Sequence, residues 1–589
     1  MNSFIDYLNS TNNSGGNTAG SLAEFQVKSQ YFAAVRVDRK IGSYITKEIK
    51  NGNHKAYILT GFAGDGKTSI LAQVLYELGY LETGSGLKVE DQFPDFQYVK
   101  DMSEITTERQ SSVLEKSLSA PKNGKTSLLI SNTGPLLRAF AAFVKSKYEA
   151  AGKPFTSESE MSLQSKLLTQ LDSNKDEITE IEGYKFVLLN IARVDNVSFA
   201  VKILKNILAL NLWEPCGSCF YAGRCPIKNN HDTLSAQFNR IALFIDNYYR
   251  FLFENDKRMT IRQMVSQLSF AITGNLTCEY IKTHTLREPF FNYNFANLFF
   301  GYHGLKFLSS SDQIESIRQI KNFGLDSIAL DVDYKLFVAR DLSCFSPEIS
   351  NMLTSILDRC RKNFQASEDS DDDKSRIEGL RLRRAIRRFY LMYSLCDSEK
   401  DLRGVMDQVF GKRFSEYKAL ISAPQSRYAL TSMRNLIFEA LYMRNTGFLP
   451  GKNTELPLTL RRDDDVFQNV MIILGKVERS ELNVVQKKRS CQFEDTESKQ
   501  ELILRLKDTE FGLTFPMINY FSSLIDGAIA SDNNPALSHG IAKLDALLLE
   551  KFRSKNPEST EDCELSVLIN TVSGQEIRRF EFDGNRLDP

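Results

Sequence analysis

A glycine-rich segment, AYILTGFAGDGKTSILAQVL, carries the residues best suited to bind phosphate. It matches the pattern G-x-x-x-x-G-K-[ST] and lies between an apolar run typical of a strand and an apolar repeat typical of a helix. Glycines would let backbone N–H groups face the phosphates, and the helix N-terminus would favour their charge. A glycine-rich turn without a ligand is the alternative. The predicted nucleotide-binding residues are Gly61, Gly64, Asp65, Gly66, Lys67, Thr68 and Ser69.

Within this loop, two side chains have distinct expected tasks. Lys67 would reach the β and γ phosphates, and the Thr68 hydroxyl would bind Mg²⁺. A second Mg²⁺ ligand and a group that orients the attacking water are also needed. We predict that Asp101, at the end of the apolar run FQYVK, binds Mg²⁺ and that Glu104 is its catalytic neighbour. The alternatives are that Asp101 is a turn residue or helix cap, or that Asp246 binds the ion; helical spacing around Asp246 disfavours the latter.

Two further strand ends carry polar residues. Asn132 follows the apolar run SLLIS, where a catalytic side chain could sense the γ phosphate, the role called sensor 1 in AAA-type ATPases. Asn132 would be equally suited to a turn. Arg193 follows KFVLLN and could contact a phosphate, although an isolated arginine is more often a surface ion-pair partner.

A cysteine cluster in WEPCGSCFYAGRCPIKNNH has metal-ligand spacing. The pattern C-x2-C-x5-C-x5-H lets the first two thiolates bind one tetrahedral ion, so a structural Zn²⁺ is predicted. Reduced cysteines that pack without metal, an iron–sulfur cluster and a redox pair are the alternatives. The predicted ligands are Cys216, Cys219, Cys225 and His231, with His231 the weakest.

A basic patch occurs in GLRLRRAIRRFYLMY, where helical spacing would place several arginines on one face. Contact with double-stranded DNA is one interpretation. A solvated helix neutralised by the preceding acidic run ASEDSDDDK is the other. The arginines concerned are Arg381, Arg383, Arg384, Arg387 and Arg388.

These residues require elements that position them, and the sequence predicts an α/β fold. Four short apolar runs alternate with helical segments between Ala56 and Asn190, which indicates a parallel sheet with crossover helices. Together with the glycine-rich loop, this pattern predicts a P-loop NTPase (AAA-like) sheet. The region that follows is predicted to be mainly helical. Within it, Thr260 and Gln263 have the spacing of a capping box at the start of a helix, and Gly274 can end that helix. A hairpin is predicted in CELSVLINTVSGQEIRRFEF, within a small α+β C-terminal region.

The expected division has six parts. They are a flexible N-terminal segment (1–21), the P-loop NTPase domain (22–200), a Cys-rich knuckle (201–235), a helical domain (236–365), an acidic loop (366–375) and a helical to α+β C-terminal region (376–589).

Composition narrows the function classes. The 589 residues are 42% hydrophobic and 25% charged, which is ordinary for a globular protein. Lys plus Arg and Asp plus Glu both number 74, so the whole molecule has no field that would draw it to nucleic acid or an anionic membrane. No basic leader precedes an apolar core, and no apolar run is long enough to span a bilayer. A cytoplasmic protein without membrane partners is expected.

The order of these motifs resembles that in ATP-binding subunits of bacterial anti-phage systems. GFAGDGKT, VKDMSE, LLISNTGPLL, VLLNIARVDN, CGSCFYAGRCPI, MTIRQMVSQLSFAITG and RLRRAIRRFY follow one another over about Leu59 to Tyr390. The chain most resembles the DptF-like P-loop ATPase subunits of phosphorothioation-dependent DNA restriction systems. The resemblance implies ATP as the nucleotide, a HerA-like ATPase and a third subunit as partners, and DNA without phosphorothioate as the target.

Two function classes remain open at this point. The first is an ATPase subunit of a multi-protein DNA restriction complex. The second is a STAND-type switch or scaffold, in which the same loop holds nucleotide with slow turnover.

Overall fold

A computed structural model describes residues 1–12, 26–82, 84–172, 178–365, 373–395, 399–460, 469–488, 500–527, 535–553, 563–571, 574–582 and 587–588. The chain forms two compact units, Met1–Phe410 and the described residues from Gly411 onward. Most of the acidic run lies outside the described residues. Across the described ranges, no helix combines the length and apolar character needed to cross a membrane.

A six-stranded sheet is the centre of the first unit. Its strand order is β2-β3-β4-β1-β6-β5; the four inner strands are parallel, and the two edge strands pair antiparallel with their neighbours. The predicted α/β fold with a parallel sheet is thus confirmed at the level of a mixed, mostly parallel sheet. The strands are β1 (Ala56–Thr60), β2 (Glu90–Gln92), β3 (Phe96–Val99), β4 (Thr126–Ile130), β5 (Ile178–Ile181) and β6 (Tyr184–Asn190).

The inner strands are apolar throughout because helices cover the sheet. All residues of β1, β3 and β4 are buried, as expected for parallel strands packed on both faces. One core contains Ile58, Leu129, Phe140, Phe143 and Leu188. The helices that connect the strands are α4 (Lys67–Leu78), α5 (Thr107–Ser119), α6 (Thr133–Ala150) and α7 (Ser157–Asp172), preceded in the chain by α1 (Ser3–Ser10), α2 (Phe32–Val35) and α3 (Lys40–Lys50).

Strand β1 lies between β4 and β6. After β1, the chain forms β3, which lies two positions from β1 in the sheet, and then β4 between them. Strand β6 follows later in the chain and pairs with the other side of β1. The carboxyl ends of β3, β4 and β1 therefore lie side by side at one edge. In open α/β sheets, this edge near the point where strand order reverses is where ligands bind.

The rest of the first unit is helical, as the sequence predicted. A small β-hairpin, β7 (Tyr302–His303) and β8 (Lys306–Phe307), interrupts it. The helices are α8 (Val197–Ile207), α9 (Leu210–Gly217), α10 (Pro226–Ala236), α11 (Phe238–Glu254), α12 (Ile261–Thr273), α13 (Cys278–Thr283), α14 (Pro289–Asn292), α15 (Phe295–Phe299), α16 (Glu315–Phe323), a π-helix (Tyr334–Ala339), α17 (Pro347–Gln365), α18 (Asp373–Tyr393) and α19 (Glu399–Phe410).

Helix α12 begins and ends as its sequence predicted. The Thr260 side chain accepts from the Gln263 backbone, and Gln263 Oε1 accepts from Thr260 N over 2.7 Å, which completes the capping box. Gly274 ends the helix with φ of 57°. These bonds satisfy backbone groups that a helix terminus otherwise leaves unpaired.

The N-terminal segment differs from the expectation of a flexible end at 1–21. Residues of α1 pack inside the first unit: Phe4 and Leu8 are fully buried, and the Phe4 ring meets Trp213 edge-on at 5.8 Å. Thr11 Oγ1 lies 2.8 Å from Ser269 Oγ of α12. The amphipathic pattern of α1 supplied enough apolar surface to hold it in place. Residues 13–21 lie outside the described residues.

The second unit combines helices with antiparallel sheets, which agrees with the predicted small α+β region. The predicted C-terminal hairpin is confirmed, with Leu568 opposite Ile577. One sheet has the order β16-β15-β14-β10-β9 and the other β11-β12-β13. The strands are β9 (Glu455–Thr459), β10 (Val470–Glu478), β11 (Leu482–Lys488), β12 (Gln500–Leu506), β13 (Thr509–Leu513), β14 (Cys563–Thr571), β15 (Gly574–Phe582) and β16 (Leu587–Asp588), and the helices are α20 (Lys412–Ser422), α21 (Arg427–Thr446), α22 (Phe515–Ile525) and α23 (Pro535–Phe552).

Candidate functional site

The predicted phosphate-binding loop joins the end of β1 to the start of α4. Gly64 and Gly66 both have φ of 88°, a left-handed conformation that favours glycine. Gly66 is the N-cap of α4 and has no side chain to accept bonds from the first N–H groups of the helix. These groups therefore remain suited to an anion. Strand, loop and helix follow in the order that the sequence predicted.

Gly61 is required for a different reason, which is close packing. A Cβ at this position would lie 2.7 Å from Ile191 Cγ1 and 3.3 Å from Ala192 N. Ile191 and Ala192 directly follow β6, the neighbour of β1. Any larger residue would push the loop away from the end of β6.

Lys67 is held at the centre of the loop. Its Nζ donates to Gly61 O over 2.8 Å, to Phe62 O over 3.0 Å and to Asn132 Oδ1 over 3.0 Å. Only 8% of the residue is exposed. Burial lowers the pKa of Lys67 below its usual value, while the negative charges of Asp65 and Asp101 act in the opposite direction. A phosphate ligand would supply the negative charge that this buried ammonium lacks at close range.

Asn132 links two strand ends. It is the N-cap residue of α6 and directly follows β4 with Ser131, so it has the turn position that was one alternative. Its Oδ1 also accepts from Lys67, which places it beside the predicted phosphate site. A role in sensing the γ phosphate stays a prediction.

Asp65 is a buried residue of the loop whose carboxylate holds the loop in place. It is 2% exposed, and its Oδ2 accepts from Phe62 N over 3.1 Å. Its Oδ1 accepts from Arg258 Nη1 over 2.8 Å. These two bonds show that the Asp65 side chain fixes the shape of the loop. The predicted contact of Asp65 with nucleotide stays a prediction.

The start of α12 also lies against the loop, a relation that the sequence analysis missed. Arg262 N donates to Gly64 O over 3.2 Å, and a Cβ on Gly64 would lie 3.0 Å from Thr260 Oγ1. The Arg262 side chain lines the same cleft as Lys67, and burial lowers its pKa. The capping box was visible in the sequence, but no local signal indicated which loop it would contact.

A cleft of about 250 Å³ collects most of the predicted residues. From the loop and α4 it includes Gly64, Gly66, Lys67, Thr68 and Ser69; from the ends of β3 and β4 it includes Lys100, Asp101, Glu104 and Asn132; α12 contributes Ile261, Arg262 and Val265. Residues far apart in the sequence thus line one cavity at the carboxyl edge of the sheet.

Asp101 and Glu104 already make contacts in this cleft. Asp101 Oδ1 accepts from Ser103 N over 2.9 Å and from Ser103 Oγ over 2.8 Å, so Asp101 is the helix cap that was its alternative interpretation. Both bonds use one oxygen, which leaves Oδ2 as the atom that could reach a cation. Glu104 Oε2 lies 2.9 Å from Lys100 Nζ. This ion pair holds Glu104 at the rim beside Asp101.

The chemistry of these residues fits a magnesium-bound triphosphate. Left-handed glycines, the first N–H groups of α4 and the Lys67 ammonium suit phosphate oxygens. The Thr68 hydroxyl and the Asp101 carboxylate line the same cleft, and oxygen ligands are those that Mg²⁺ prefers. Asp246, the competing candidate, lies within α11, as the helical spacing indicated. The side chain of Arg193 lies outside the described residues.

The cysteine cluster takes a different form from the predicted zinc site. Cys216 is buried at the end of α9, Cys225 is the N-cap of α10, and Cys219 is exposed between them. The ring of His231 stacks on Trp213 at 4.5 Å, and its Nδ1 lies 3.0 Å from Asp232 Oδ1. Among the described residues, no three His, Cys, Asp or Glu side chains are grouped so that they could bind one metal ion. A zinc ion here stays a prediction.

The basic patch on α18 is only partly available to a ligand. Arg388 is fully buried and pairs with Asp326 over 2.8 Å. Arg387 pairs with Asp333 over 2.6 Å. These two carboxylates neutralise part of the patch. Neutralisation by the acidic run before the helix stays a prediction. The exposed members are Arg381, Arg383 and Arg384.

No protein-family model, curated protein or solved structure matches this chain in comparisons of sequence and fold.

Proposed function

We propose that this chain is a P-loop NTPase that binds ATP with Mg²⁺ at the carboxyl edge of its central sheet. The observation that carries the proposal is the position of Lys67. Its ammonium lies beneath a glycine-rich loop at the end of a central parallel strand, at the first turn of a helix and within a cleft that also contains Asp101. A buried cation beside unpaired helix N–H groups is an arrangement suited to a triphosphate.

In this proposal, each residue of the cleft has a role in binding the nucleotide or Mg²⁺. The first N–H groups of α4 and Lys67 bind the phosphates, and Thr68 and Asp101 hold Mg²⁺, whose charge would stabilise the transferring phosphoryl group. Asn132, whose Oδ1 accepts from Lys67 Nζ, would also contact the terminal phosphate. Glu104 lies next to Asp101 at the rim and is the candidate to orient water. Arg262, which lines the same cleft, would add a positive charge.

We further propose that this ATPase serves as a subunit of a multi-protein bacterial anti-phage DNA restriction system. The support is the order of motifs described above, which resembles that of DptF-like subunits. The partners would be a HerA-like ATPase and a third subunit, with double-stranded DNA contacted through those partners or through the exposed arginines of α18.

The experiment compares nucleotide binding and turnover in the wild type, Lys67→Ala and Lys145→Ala. Lys145 is exposed on α6, so its variant controls for the loss of one lysine. Lys67→Ala should lower ATP affinity at least a hundredfold, about 2.8 kcal/mol, with an unchanged circular dichroism spectrum. Lys145→Ala should bind as the wild type does. Equal ATP affinity in Lys67→Ala and the wild type would overturn the nucleotide proposal.

A nucleotide-dependent switch is the second candidate, and one observation favours it. Arg258 and Arg262 bring the start of α12 against the loop, so a ligand in the cleft would contact both the sheet and the helical region. A switch needs such a ligand-dependent difference between two arrangements. DNA-stimulated ATP hydrolysis by the complex with its partners would support the restriction subunit. Nucleotide that co-purifies with the chain and is hardly hydrolysed would support the switch.

A further inference from the structure

A π-helix packs against one side of α18 in the first unit. The π-helix comprises Tyr334–Ala339. The guanidinium carbons of Arg383 and Arg387 lie 5.9 Å and 5.8 Å from the centre of the Phe337 ring. Arg387 Nη2 also donates over 2.6 Å to Oδ2 of Asp333, the residue directly before the π-helix. The two helices therefore form one continuous surface.

Arginines on this side of α18 make the surface basic. Arg387 is four residues from Arg383 and three from Arg384, so the three side chains are neighbours on the helix. The described ion pairs of α18 are those of Arg387 and Arg388. The exposed Arg383 and Arg384 thus have no carboxylate partner among the described residues. Their guanidinium groups are suited to bind an anion.

Exposed apolar side chains accompany these cations. Tyr334 and Val338 are 69% and 65% exposed and lie four residues apart on the π-helix. Leu380, which is 53% exposed, precedes Arg383 and Arg384 by one turn of α18. Single exposed apolar residues are common on protein surfaces, but these three flank the two exposed arginines. Such a set suits a ligand that has flat apolar faces as well as negative charge.

The backbone of this surface is also unusual. A π-helix is rare and is frequently found at functional sites. It ends at Arg340, whose φ of 56° lies in the left-handed region that residues other than glycine seldom adopt. Uncommon backbone conformations cluster at binding and catalytic sites, which supports a binding role for this segment.

Single-stranded nucleic acid has the chemistry that this surface fits. Arginine matches the geometry of phosphate oxygens, and unstacked bases can stack on aromatic rings and guanidinium planes. In a duplex, the bases present only their edges in the grooves, so the Tyr334 ring would find no base face to contact. An acidic peptide would pair with the arginines but would leave the exposed ring without a stacking partner.

We propose that Tyr334, Arg383 and Arg384 bind single-stranded nucleic acid. The Tyr334 ring stacks on a base, and the two arginines contact phosphates on either side of it. Double-stranded DNA, the target in the proposed function, would then be contacted through the partner subunits. The inference goes beyond the nucleotide proposal and does not depend on it, because none of these residues lines the cleft of Lys67.

Fluorescence anisotropy with the full-length protein and a labelled oligo(dT) of about 16 nucleotides tests this proposal. We expect the single strand to bind about tenfold more tightly than a duplex of the same length. An oligo(U) of equal length shows whether DNA or RNA is preferred. Equal or tighter binding of the duplex would overturn the proposal. Displacement of the oligonucleotide by poly-glutamate of equal charge would also overturn it, in favour of an acidic peptide.

Two variants test the roles of the side chains. Tyr334→Ala should weaken oligo(dT) binding about tenfold, since one stacked base is lost. Arg384→Ala should weaken binding and reduce the dependence of log Kd on log salt concentration by about 0.7. The matched controls, Tyr428→Ala and Arg427→Ala, remove exposed side chains at the start of α21 and should bind as the wild type does.

The replaced side chains are all exposed, so the four variants should unfold at the temperature of the wild type. Wild-type affinity in either Tyr334→Ala or Arg384→Ala would overturn the proposal. Lys67→Ala should bind oligo(dT) as the wild type does, and this measurement separates failure of the nucleic-acid surface from failure of the nucleotide site.

Discussion

Arg258 Nη1 lies 2.8 Å from Asp65 Oδ1, and this ion pair joins the Gly61–Thr68 loop to the residues just before α12. The Asp65 side chain is 1% exposed and that of Arg258 17%. Arg39 adds a bond from Nη1 to the backbone oxygen of Asp65 over 3.3 Å. The loop is thus held by cations from two other parts of the chain.

Removal of Arg258 should destabilise the protein and distort the loop. Arg258→Met keeps most of the stem but leaves the Asp65 carboxylate buried without its partner, which costs about 3 kcal/mol for such pairs. Chemical denaturation would measure this change, and ATP affinity should fall with it. The double variant with Asp65→Asn is the control: it should lose clearly less than the sum of the two single variants. Simple additivity would show that the pair has no coupling.

Gly61→Ala should lower both the stability of the protein and its affinity for ATP. Its Cβ would enter the space of Ile191 and Ala192, and such overpacking typically costs about 1 to 3 kcal/mol. Thermal unfolding and ATP titration would measure the two effects. Gly134→Ala is the matched control, because the nearest atom to its Cβ is Arg138 Nη1 at 3.9 Å. That variant lies near the start of α6 and should be as stable as the wild type. An equally stable Gly61→Ala would contradict the packing argument.

Asp101→Asn should separate nucleotide binding from metal binding. Asparagine can still accept the bonds from Ser103 through its side-chain oxygen, so the cap and the fold should persist. The lost charge should remove most of the gain in ATP affinity that Mg²⁺ provides, at least tenfold or about 1.4 kcal/mol. Titration with Mg²⁺ and with EDTA measures this gain. Asp91→Asn, on β2 and paired with Lys88, is the control of equal charge. A Mg²⁺ effect as large in Asp101→Asn as in the control would rule out Asp101 as a ligand.

The arginines of α18 should differ in their contribution to stability, with the buried members important and the exposed members not. Arg388→Ala removes a fully buried guanidinium that bonds Asp326, Asn297 Oδ1 and Gly304 O, and loss of one partner of such a pair costs about 3 to 5 kcal/mol. Arg384→Ala, at an exposed position of the same helix, should change stability by less than about 0.5 kcal/mol. Urea denaturation of both variants tests this. If Arg384→Ala were the more destabilising change, the division would be wrong.

The elements with local signals could be predicted from the sequence. The apolar runs of β1, β3, β4 and β6 have no polar face because both sides of the sheet are covered, and this pattern is visible without a structure. The capping box of α12 is equally local, since Thr260 and Gln263 are one turn apart. The hairpin of β14 and β15 was indicated by two apolar runs around a Ser-Gly turn.

Contacts between segments that are distant in the sequence could not be predicted. Arg258, just before α12, and Arg262, in its first turn, contact the loop, and no spacing rule encodes that approach. The antiparallel edge strands β2 and β5 are short, so their periodicity was too weak to notice. For α1, a polar stretch next to it suggested a flexible end, whereas burial of Phe4 and Leu8 decided the outcome.

The bond from Arg262 N to Gly64 O has a consequence for protein engineering. It joins the glycine turn to a remote part of the chain, and a side chain on Gly64 would lie only 3.0 Å from Thr260 Oγ1. If residues 56–78 alone were grafted into another protein, the contacts from Thr260 and Arg262 would be missing, and the loop should lose its conformation. A transferable module would have to carry the 258–274 segment as well, and the turn should acquire its final geometry late during folding, after long-range docking.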